Sequence, residues 1–266
     1  MQQEFVHLHL HSEFSLSDGI IRIEDLVKKS SDLSFSAVAL TDLTNLFGLI
    51  KFYRLARKQG IKPIVGSEIK VAKDLDSQPG SLVMLVKNKT GYTNLTKLVS
   101  KAYVEGQVSG EPIVKLSWLE EYSEGLIALS GGINGHVGQS ILGGNDALTN
   151  SRVDYFHNLF KGDFFIEIQR LGKNNEIEYN QKVIDLAMQK KIPLVATNDV
   201  RFLMPVDPDV SPSDFEAHEA RVCIQKGQTL DDPRRSKDYV ENQYLRSPEE
   251  MNELFTDLPE ALENTV

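Results

Sequence analysis

The segment FVHLHLHSEFSLSDG, residues 5–19, carries three of the six histidines of the chain. Its first half alternates apolar and imidazole side chains, the pattern of a β-strand whose two faces differ. In a regular strand His7, His9 and His11 share one face, and the apolar residues between them share the other. Two imidazoles two residues apart can reach one cation, so the segment is a candidate first strand of a metal-binding α/β fold.

The composition fits an ordinary globular protein with a core, because 41% of the 266 residues are hydrophobic and 25% are charged. The length fits one large α/β domain of the barrel type or two small domains. A formal net charge of -9 argues against general binding to DNA or to an anionic membrane. A single cysteine, Cys223, excludes an internal disulfide. Without a signal peptide or an apolar run of about 20 residues, the sequence predicts a cytoplasmic protein.

Short apolar segments alternate with amphipathic segments over the first three quarters of the chain. The predicted strands cover residues 6–10, 35–40, 62–71, 81–86, 125–130, 163–169 and 192–199. The predicted helices cover residues 23–33, 49–60, 93–104, 151–162 and 176–191. This order predicts parallel strands joined by crossover helices. Seven such strands favour a barrel-like closed sheet, with an open doubly wound sheet as the alternative.

The pattern changes after residue 203. The predicted elements are a proline-rich loop at 204–214, a helix at 212–227 between a serine cap and a glycine, irregular structure at 227–240 and a helix at 247–266. Ser247 and Pro248, followed by two glutamates, are typical of a helix start. We therefore predict a barrel core, residues 1–203, and a C-terminal part, residues 204–266. The last helical pattern runs to the final residue without a cap, which favours a sequence that is part of a longer one.

Polar residues collect at the predicted carboxyl ends of the strands, where parallel barrels place their chemistry. These residues are His9, His11, Thr41, Asp42, Glu68, Asn198 and Asp199. Together with Asp18 they offer nitrogen and oxygen donors suited to Zn²⁺, Mn²⁺ or Fe²⁺. A metal held in this way with an open coordination position activates water for hydrolysis.

Structural interpretations compete with each of these. Alternating histidine and leucine also fit an ordinary strand with one polar face. Asp42 is a candidate turn cap, Glu68 a candidate partner of a lysine, and Asp199 a candidate turn residue. The sequence assigns no role in the site to the other three histidines, His136, His157 and His218. No GxSxG, Walker A or Rossmann glycine pattern occurs in the sequence.

Nine segments, in order along the chain, resemble the start of the alpha subunits of the bacterial replicative DNA polymerase III. They are FVHLHLHSEFSLSDG, ALTDLTNLFGLIKFY, GIKPIVGSEI, NKTGYTNLTKLVSKAY, EGLIALSGG, TNDVRF, DFEAHEARVCIQKG, LDDP and EEMNELF. The region is similar to the PHP (polymerase and histidinol phosphatase) domain. This resemblance implies a distorted seven-stranded (β/α) barrel with an extra C-terminal helical segment, and up to three metals at one end of the barrel.

The resemblance also assigns residues to the metal site. The positions that match metal ligands of the family are His9, His11, Asp18, Glu68 and Asp199. Three positions that are histidines in the family are Leu43, Ser81 and Arg201 here.

These departures predict a weakened site. A leucine cannot ligate a metal, and an arginine cannot lose its proton to do so. The sequence leaves the direction of the Arg201 side chain open. Turned inward, Arg201 would bring a fixed positive charge into the cluster and could pair with Asp199 or Glu68 in place of a cation. Hydrolytic activity is therefore expected to be absent or weak, while one Zn²⁺ or Mn²⁺ on His9, His11 and a carboxylate stays compatible with the sequence.

The resemblance implies that the parent protein is a DNA-directed DNA polymerase, whose Mg²⁺-dependent palm domain lies beyond this sequence. The present region is then expected to be a largely non-catalytic scaffold that stabilises the polymerase and docks the proofreading exonuclease (epsilon) subunit, with DNA bound mainly by other domains. One alternative is an active metal-dependent phosphoesterase or 3′–5′ proofreading nuclease, against which Leu43, Ser81 and Arg201 argue. Another is a free-standing amidohydrolase-like barrel. Such a barrel would need further histidines in its site, and the other histidines of this sequence are poorly placed to supply them.

Overall fold

In the computed structural model, which describes residues 4–266, eight strands alternate with ten α-helices and two short 3₁₀ segments. The strands are β1 (Ala37–Leu40), β2 (Lys62–Ala72), β3 (Gly80–Val86), β4 (Gln107–Val108), β5 (Glu111–Lys115), β6 (Leu126–Leu129), β7 (Phe164–Ile168) and β8 (Leu194–Ala196). The helices are α1 (Ile23–Asp32), α2 (Leu49–Lys58), α3 (Lys89–Glu105), α4 (Leu116–Tyr122), α5 (His136–Leu142), α6 (Asp146–Phe160), α7 (Glu176–Lys190), α8 (Asp214–Lys226), α9 (Pro248–Leu254) and α10 (Pro259–Glu263). The 3₁₀ segments are Glu13–Asp18 and Gly132–Asn134. None of the helices in the described part is long and apolar enough to span a membrane.

The sheet is mixed rather than parallel throughout. Its hydrogen-bonded path is β4-β5-β2-β3-β6-β7-β8, and β1 pairs with the first half of β2. The pairs β1/β2, β2/β5, β6/β7 and β7/β8 are parallel, whereas β2/β3, β3/β6 and β4/β5 are antiparallel. The prediction of parallel pairing is therefore wrong at β3. The connection from β2 to β3, residues 73–79, is too short for a helical crossover, so β3 returns in the opposite direction.

The histidine segment does not form the predicted regular strand at residues 6–10, since its last residue makes only an isolated bridge, from Leu10 to Val200. Its backbone nevertheless forms hydrogen bonds to neighbouring segments on two sides. The carbonyl of His7 accepts the N–H of Ala39 in β1 at 2.8 Å, and the carbonyl of His9 accepts the N–H of Val200 at 3.1 Å. The segment thus lies between β1 and the chain that follows β8, and it joins the two ends of the strand path from β1 to β8.

The sequence did not predict the β4–β5 hairpin or the break in the last helix. The hairpin turns at Ser109 and Gly110, which both have positive φ, 51° and 87°. Its strands are too short to produce an alternating pattern. In the last region α9 ends at Leu254 and α10 begins at Pro259, because proline cannot donate the hydrogen bond of a helix interior and disfavours helix at the residue before it.

The predicted helix starts in the C-terminal region are confirmed. The side chain of Ser213 accepts a hydrogen bond from the N–H of Glu216 at the start of α8, and Gly227 ends that helix with a φ of 62°. Ser247 and Glu250 form a reciprocal capping box at the start of α9. Each such cap satisfies backbone groups that the helix itself leaves free.

Within residues 4–266 the core consists of two apolar clusters. The smaller comprises Val6, Leu8, Ala37, Ala39, Val83, Leu85, Leu129 and Val195. Its members come from the histidine segment and from β1, β3, β6 and β8, so the strand path surrounds it. The larger cluster lies between strands and helices and includes Met251, Phe255 and Leu262. The boundary at residue 203 stays a prediction, but α9 and α10 share the core of the strands.

A close backbone approach at Gly91 in α3 gives a test of this packing. A Cβ atom at this position would lie 1.8 Å from the carbonyl oxygen of Gly125. We expect Gly91→Ala to lower the free energy of unfolding by about 2–3 kcal/mol, because the backbone has to move. Urea denaturation measures this. In the control Gly143→Ala the added atom meets nothing closer than 3.1 Å, and the φ of −76° suits alanine. Equal losses in the two variants would contradict the packing described.

Candidate functional site

A cavity of about 850 Å³ opens beside the end of the histidine segment. Charged residues of both signs line it: Asp18, Glu68, Lys70, Lys173, Asp199, Arg201, Lys237, Asp238 and Glu241. The contacts described below bring all five predicted ligand positions together here. Parallel pairing of β1 with β2 and of β7 with β8 delivers their carboxyl ends to this edge, as expected for an α/β fold.

His9 lies between three carboxylates. Its Nδ1 is 2.7 Å from Oε1 of Glu167, and its Nε2 is 3.3 Å from Oε2 of Glu68 and 3.5 Å from Oδ1 of Asp199. Burial alone would lower the pKa of this imidazole, but the charges of Glu167 and Asp199 outweigh it and raise the pKa of His9 to about 10. His9 is therefore an imidazolium at neutral pH and donates a hydrogen bond to Glu167 from one side of its ring.

His11 is also enclosed by carboxylates. Its Nε2 lies 2.9 Å from Oε2 of Glu68, and its Nδ1 lies 3.2 Å from Oδ2 of Asp18. Neither nitrogen of this buried ring makes a hydrogen bond of acceptable geometry among the described residues. The two imidazoles thus both direct Nε2 toward the same oxygen of Glu68.

Arg201, whose direction the sequence left open, extends into the middle of this cluster and pairs with both Asp199 and Glu68. Its Nε and Nη2 lie 2.9 Å and 2.5 Å from Oδ1 of Asp199, and its Nη2 lies 3.4 Å from Oε2 of Glu68. Nη1 donates a further hydrogen bond to the carboxylate of Asp18. The guanidinium side chain is only 5% exposed. One fixed cation therefore touches three of the five predicted ligands.

These contacts keep the acidic residues ionised. Burial would raise the pKa of Asp18 and of Asp199, but the charge of Arg201 outweighs it and holds both values below the ordinary range. Burial would likewise raise the pKa of Glu68, but the imidazoles of His11 and His9, which both direct Nε2 at its Oε2, hold that pKa well below the ordinary value. All three carboxylates are charged at neutral pH.

Two lysines add positive charge at the rim. Nζ of Lys173 lies 3.3 Å from Oδ2 of Asp199. Nζ of Lys70 donates to the hydroxyl of Ser81 at 3.1 Å and lies close enough to Glu68 to favour its ionised form. The cluster is thus balanced by side-chain cations.

The three departures from the family pattern all border this cluster. Leu43 pairs with Glu68 in an isolated parallel bridge, and Ser81 faces Lys70 across the β2–β3 pair. Arg201 follows Asp199 by two residues and turns back toward it. Each position is therefore close enough for a histidine to have served the site, and each side chain present is one that cannot bind a metal as imidazole does.

Some predicted residues lie elsewhere. His7 does not share a face with His9: its Nε2 bonds to the carbonyl of Arg246 at 2.9 Å, and its ring packs edge-on against Phe5 and Phe35. The strict alternation fails because the segment is not a regular strand.

Asp42 points away from the metal cluster. Its carboxylate accepts hydrogen bonds from the backbone and hydroxyl of Ser12 and from the hydroxyl of Ser15. Asp42 thereby holds the 3₁₀ turn that carries Asp18, which is a structural role close to the turn cap considered above.

Residues not predicted from the sequence complete the site. Glu167 interrupts the apolar strand FFIEI of β7. Because a buried carboxylate needs a partner, this lone acid could have been recognised from the sequence as a candidate site residue. Tyr239, whose hydroxyl donates to Asp18, lies in the irregular region and gave no signal. His218 is fully buried against Tyr239, and burial lowers its pKa to about 4.

The side chains fit one metal ion better than several. Ligand atoms of His9, His11 and Glu68 all lie within 4.8 Å of one another. Separations near 3 Å between nitrogen and oxygen suit a tetrahedral ion with bonds of about 2.0–2.2 Å. The contact of Glu167 with Nδ1 of His9 also resembles the carboxylate support that metal-bound histidines receive. Further ions would lack the imidazoles that the family has at positions 43, 81 and 201, and Arg201 already pairs with the carboxylates of Asp18 and Asp199.

Comparison with known proteins finds relatives along the whole chain. The chain is 47% identical over 267 residues to DNA polymerase III subunit alpha of Pseudomonas aeruginosa and 48% identical over 266 residues to that of Escherichia coli K12. Each alignment covers 100% of this chain and 22% of the relative. The chain thus spans about a fifth of the length of these curated relatives.

One solved structure has a similar fold, and one family model matches the chain. A candidate metal-dependent phosphoesterase of Bifidobacterium adolescentis superposes with a TM-score of 0.51 at 12% identity, covering 74% of this chain and 87% of that one, a likeness of fold alone. The model of the PHP domain matches residues 7–171, more than half of the chain. The predicted resemblance and the α/β fold class are confirmed. The chain belongs to the PHP domain family.

Proposed function

We propose that the chain is the PHP region of a DNA polymerase III alpha subunit and serves that polymerase as a largely non-catalytic scaffold. In this proposal it stabilises the polymerase and docks the proofreading exonuclease (epsilon) subunit within the polymerase core. Template-directed DNA synthesis, with its Mg²⁺, belongs to other parts of the protein. The likeness to two alpha subunits over the entire chain supports the assignment.

The observation that carries the non-catalytic role is the position of Arg201. Its guanidinium contacts Asp18, Glu68 and Asp199 and is buried with them. A multinuclear phosphoesterase needs these carboxylates to hold metal ions that clamp the attacking and leaving oxygens. Here a side-chain cation engages them instead, and the arrangement satisfies buried charge without an external ion.

The second candidate is a phosphoesterase or 3′–5′ nuclease with a single metal ion, and the ring nitrogens of His11 favour it. They are buried, lack aligned hydrogen bonds, and one faces the oxygen of Glu68 that His9 also faces. His9, His11 and Glu68 would hold a Zn²⁺ or Mn²⁺ ion, which polarises a bound water when present. Lys70 and Lys173 would then orient an anionic substrate at the rim of the cavity.

Metal content separates the two candidates. Elemental mass spectrometry on protein purified without chelator or affinity-tag metal should find less than about 0.2 ions of Zn, Mn or Fe per chain if side chains alone balance the site. Phosphoesterase activity on p-nitrophenyl phosphate should then be indistinguishable from that of His9→Ala. One or more ions per chain, lost in His9→Ala and in His11→Ala, would overturn the non-catalytic proposal and support the second candidate.

A further inference from the structure

Helix α2 presents an apolar stripe to solvent. Phe47, just before the helix, is 66% exposed, and Ile50 and Tyr53 are 60% and 49% exposed. Their spacing of three residues places them along one side of the helix. The opposite side packs into the core through Phe52 and Ala56, which are fully buried. The exposed stripe is therefore not needed to attach α2 to the fold.

Positive charge continues the stripe toward the end of the helix. Arg54, Arg57 and Lys58 are exposed, and none of their side chains makes an ion pair or hydrogen bond with a described residue. Lys51 on the same helix differs, because its Nζ lies 2.8 Å from Glu24. Three unpaired cations are a local departure in a chain with a net charge of -9. Such a patch attracts an acidic partner.

The neighbouring 3₁₀ turn extends the apolar end of the stripe. Asn45 donates through Nδ2 to the carbonyl of Phe14 at 2.9 Å, which fixes this turn beside the start of α2. Leu16 in the turn is 69% exposed and has a φ of 59°, a conformation that leucine rarely adopts. An exposed leucine therefore lies in a turn that is hydrogen-bonded to the segment before α2.

We propose that the α2 face binds an acidic amphipathic segment of another protein subunit. The α2 face is the set Phe47, Ile50, Tyr53, Arg54, Arg57 and Lys58. Apolar side chains of the segment would pack on its first half, and aspartates or glutamates would pair with its cations. From residue 47 to residue 58 the helix spans about 16 Å, a length that three turns of a partner helix cover. The inference rests on the proposed scaffold role and names the surface and chemistry through which a subunit docks.

The chemistry of the face argues against two other occupants. Single-stranded nucleic acid would find rings to stack on in Phe47 and Tyr53, but it carries phosphates along its whole length, whereas the cations of the face lie only in its second half. In a symmetric pair with a second copy of the chain, the three cations of one face would meet either the cations or the apolar half of the other face, and neither would neutralise them. An acidic segment with apolar side chains satisfies both halves of the face.

The test uses the chain at its natural length and the proofreading exonuclease subunit of the same genome as the probe. Binding is measured by biolayer interferometry for the wild type, for Ile50→Asp and for the double variant Arg54→Glu/Arg57→Glu. Ile177→Asp is the matched control, because Ile177 is 76% exposed on the distant helix α7. We expect each α2 variant to weaken binding at least about tenfold and the control to bind like the wild type. Thermal melting confirms that the variants stay folded.

The possible failures differ from one another. If the wild type binds and the α2 variants bind equally well, the α2 face is not the docking surface, and the scaffold proposal stands. If the wild type does not bind the exonuclease subunit, the docking role and this inference both fall. The inference is also overturned if the variants instead abolish binding of a labelled oligothymidylate or self-association in sedimentation velocity, since the occupant is then of another class.

Discussion

Replacing Arg201 by alanine is expected to lower the free energy of unfolding at neutral pH by about 3–5 kcal/mol, because the change leaves buried carboxylates without their cation. Asp18 and Asp199 each accept hydrogen bonds from this guanidinium, and Glu68 lies 3.4 Å from it. All three side chains are little exposed, at 13%, 4% and 5%. Water therefore cannot solvate these carboxylates well enough to compensate for the lost guanidinium.

The same variant should become sensitive to metal ions. With the guanidinium gone, a divalent ion can replace its positive charge beside the carboxylates. His9, His11 and Glu68 would bind this ion, since their ligand atoms already lie within 4.8 Å of one another. Added Zn²⁺ or Mn²⁺ is expected to raise the melting temperature of Arg201→Ala and to leave that of the wild type unchanged, by the linkage of ligand binding to folding. Arg201→His should show the larger metal effect, since it adds an imidazole.

Calorimetry measures the melting temperatures of Arg201→Ala and Arg201→His with and without added metal, and elemental mass spectrometry measures how much metal each variant binds. The control is Arg234→Ala, because Arg234 pairs with Asp232 but is 86% exposed, and its loss should leave the melting temperature unchanged. Wild-type stability in Arg201→Ala would show that the ion pairs contribute nothing. A metal response in the wild type equal to that of the variant would show that Arg201 does not take the place of an ion.

Raising the pH from 6.5 to 10 is expected to remove several kcal/mol of stability through His9. The pKa of His9 is about 10 in the folded protein, against 6.5 for an unperturbed histidine. A group whose pKa rises on folding stabilises the folded state fully below its unfolded pKa, and this contribution is lost as the pH rises through the folded pKa. The physical cause is loss of the imidazolium charge beside Glu167 and Asp199.

Urea denaturation in the presence of EDTA, at intervals across this range, tests the prediction. His9→Gln should be less stable than the wild type at pH 6.5, with the difference shrinking toward pH 10. His7→Gln is the matched control. Burial lowers the pKa of His7 to about 4, so His7 destabilises the fold as the pH falls from 6.5 toward 4 and leaves the alkaline range unaffected. Parallel curves for the wild type and His9→Gln would refute the imidazolium assignment.

The candidate site was largely predictable from residue types at the ends of strands. His9, His11, Asp18, Glu68 and Asp199 were predicted and do meet, whereas the sequence left the direction of the Arg201 side chain open. The prediction of the five positions needed only the order of strands and the chemistry of the side chains, whereas Arg201 was singled out by the family resemblance. Whether the five residues bind metal stays a prediction.

Other parts of the site depended on contacts between distant segments. Glu167 approaches His9 across 158 residues of sequence, and Tyr239 reaches Asp18 across 221. No local pattern records such separations, because periodicity reports only which face a residue occupies within its own element. The antiparallel β3 was likewise missed, since strand direction depends on the connection and not on the strand's composition.

The sequence by itself determined the alternation of strands and helices, the starts of α8 and α9, and the residue types available to the site. Local backbone preferences and side-chain chemistry act within a few residues, so a reader of the sequence can apply them directly. Only the tertiary structure decided that His7 leaves the site, that Asp42 supports a turn, and that α2 keeps an apolar stripe exposed. Those outcomes depend on which surfaces meet after long stretches of chain are folded together, and burial is a property of the whole molecule.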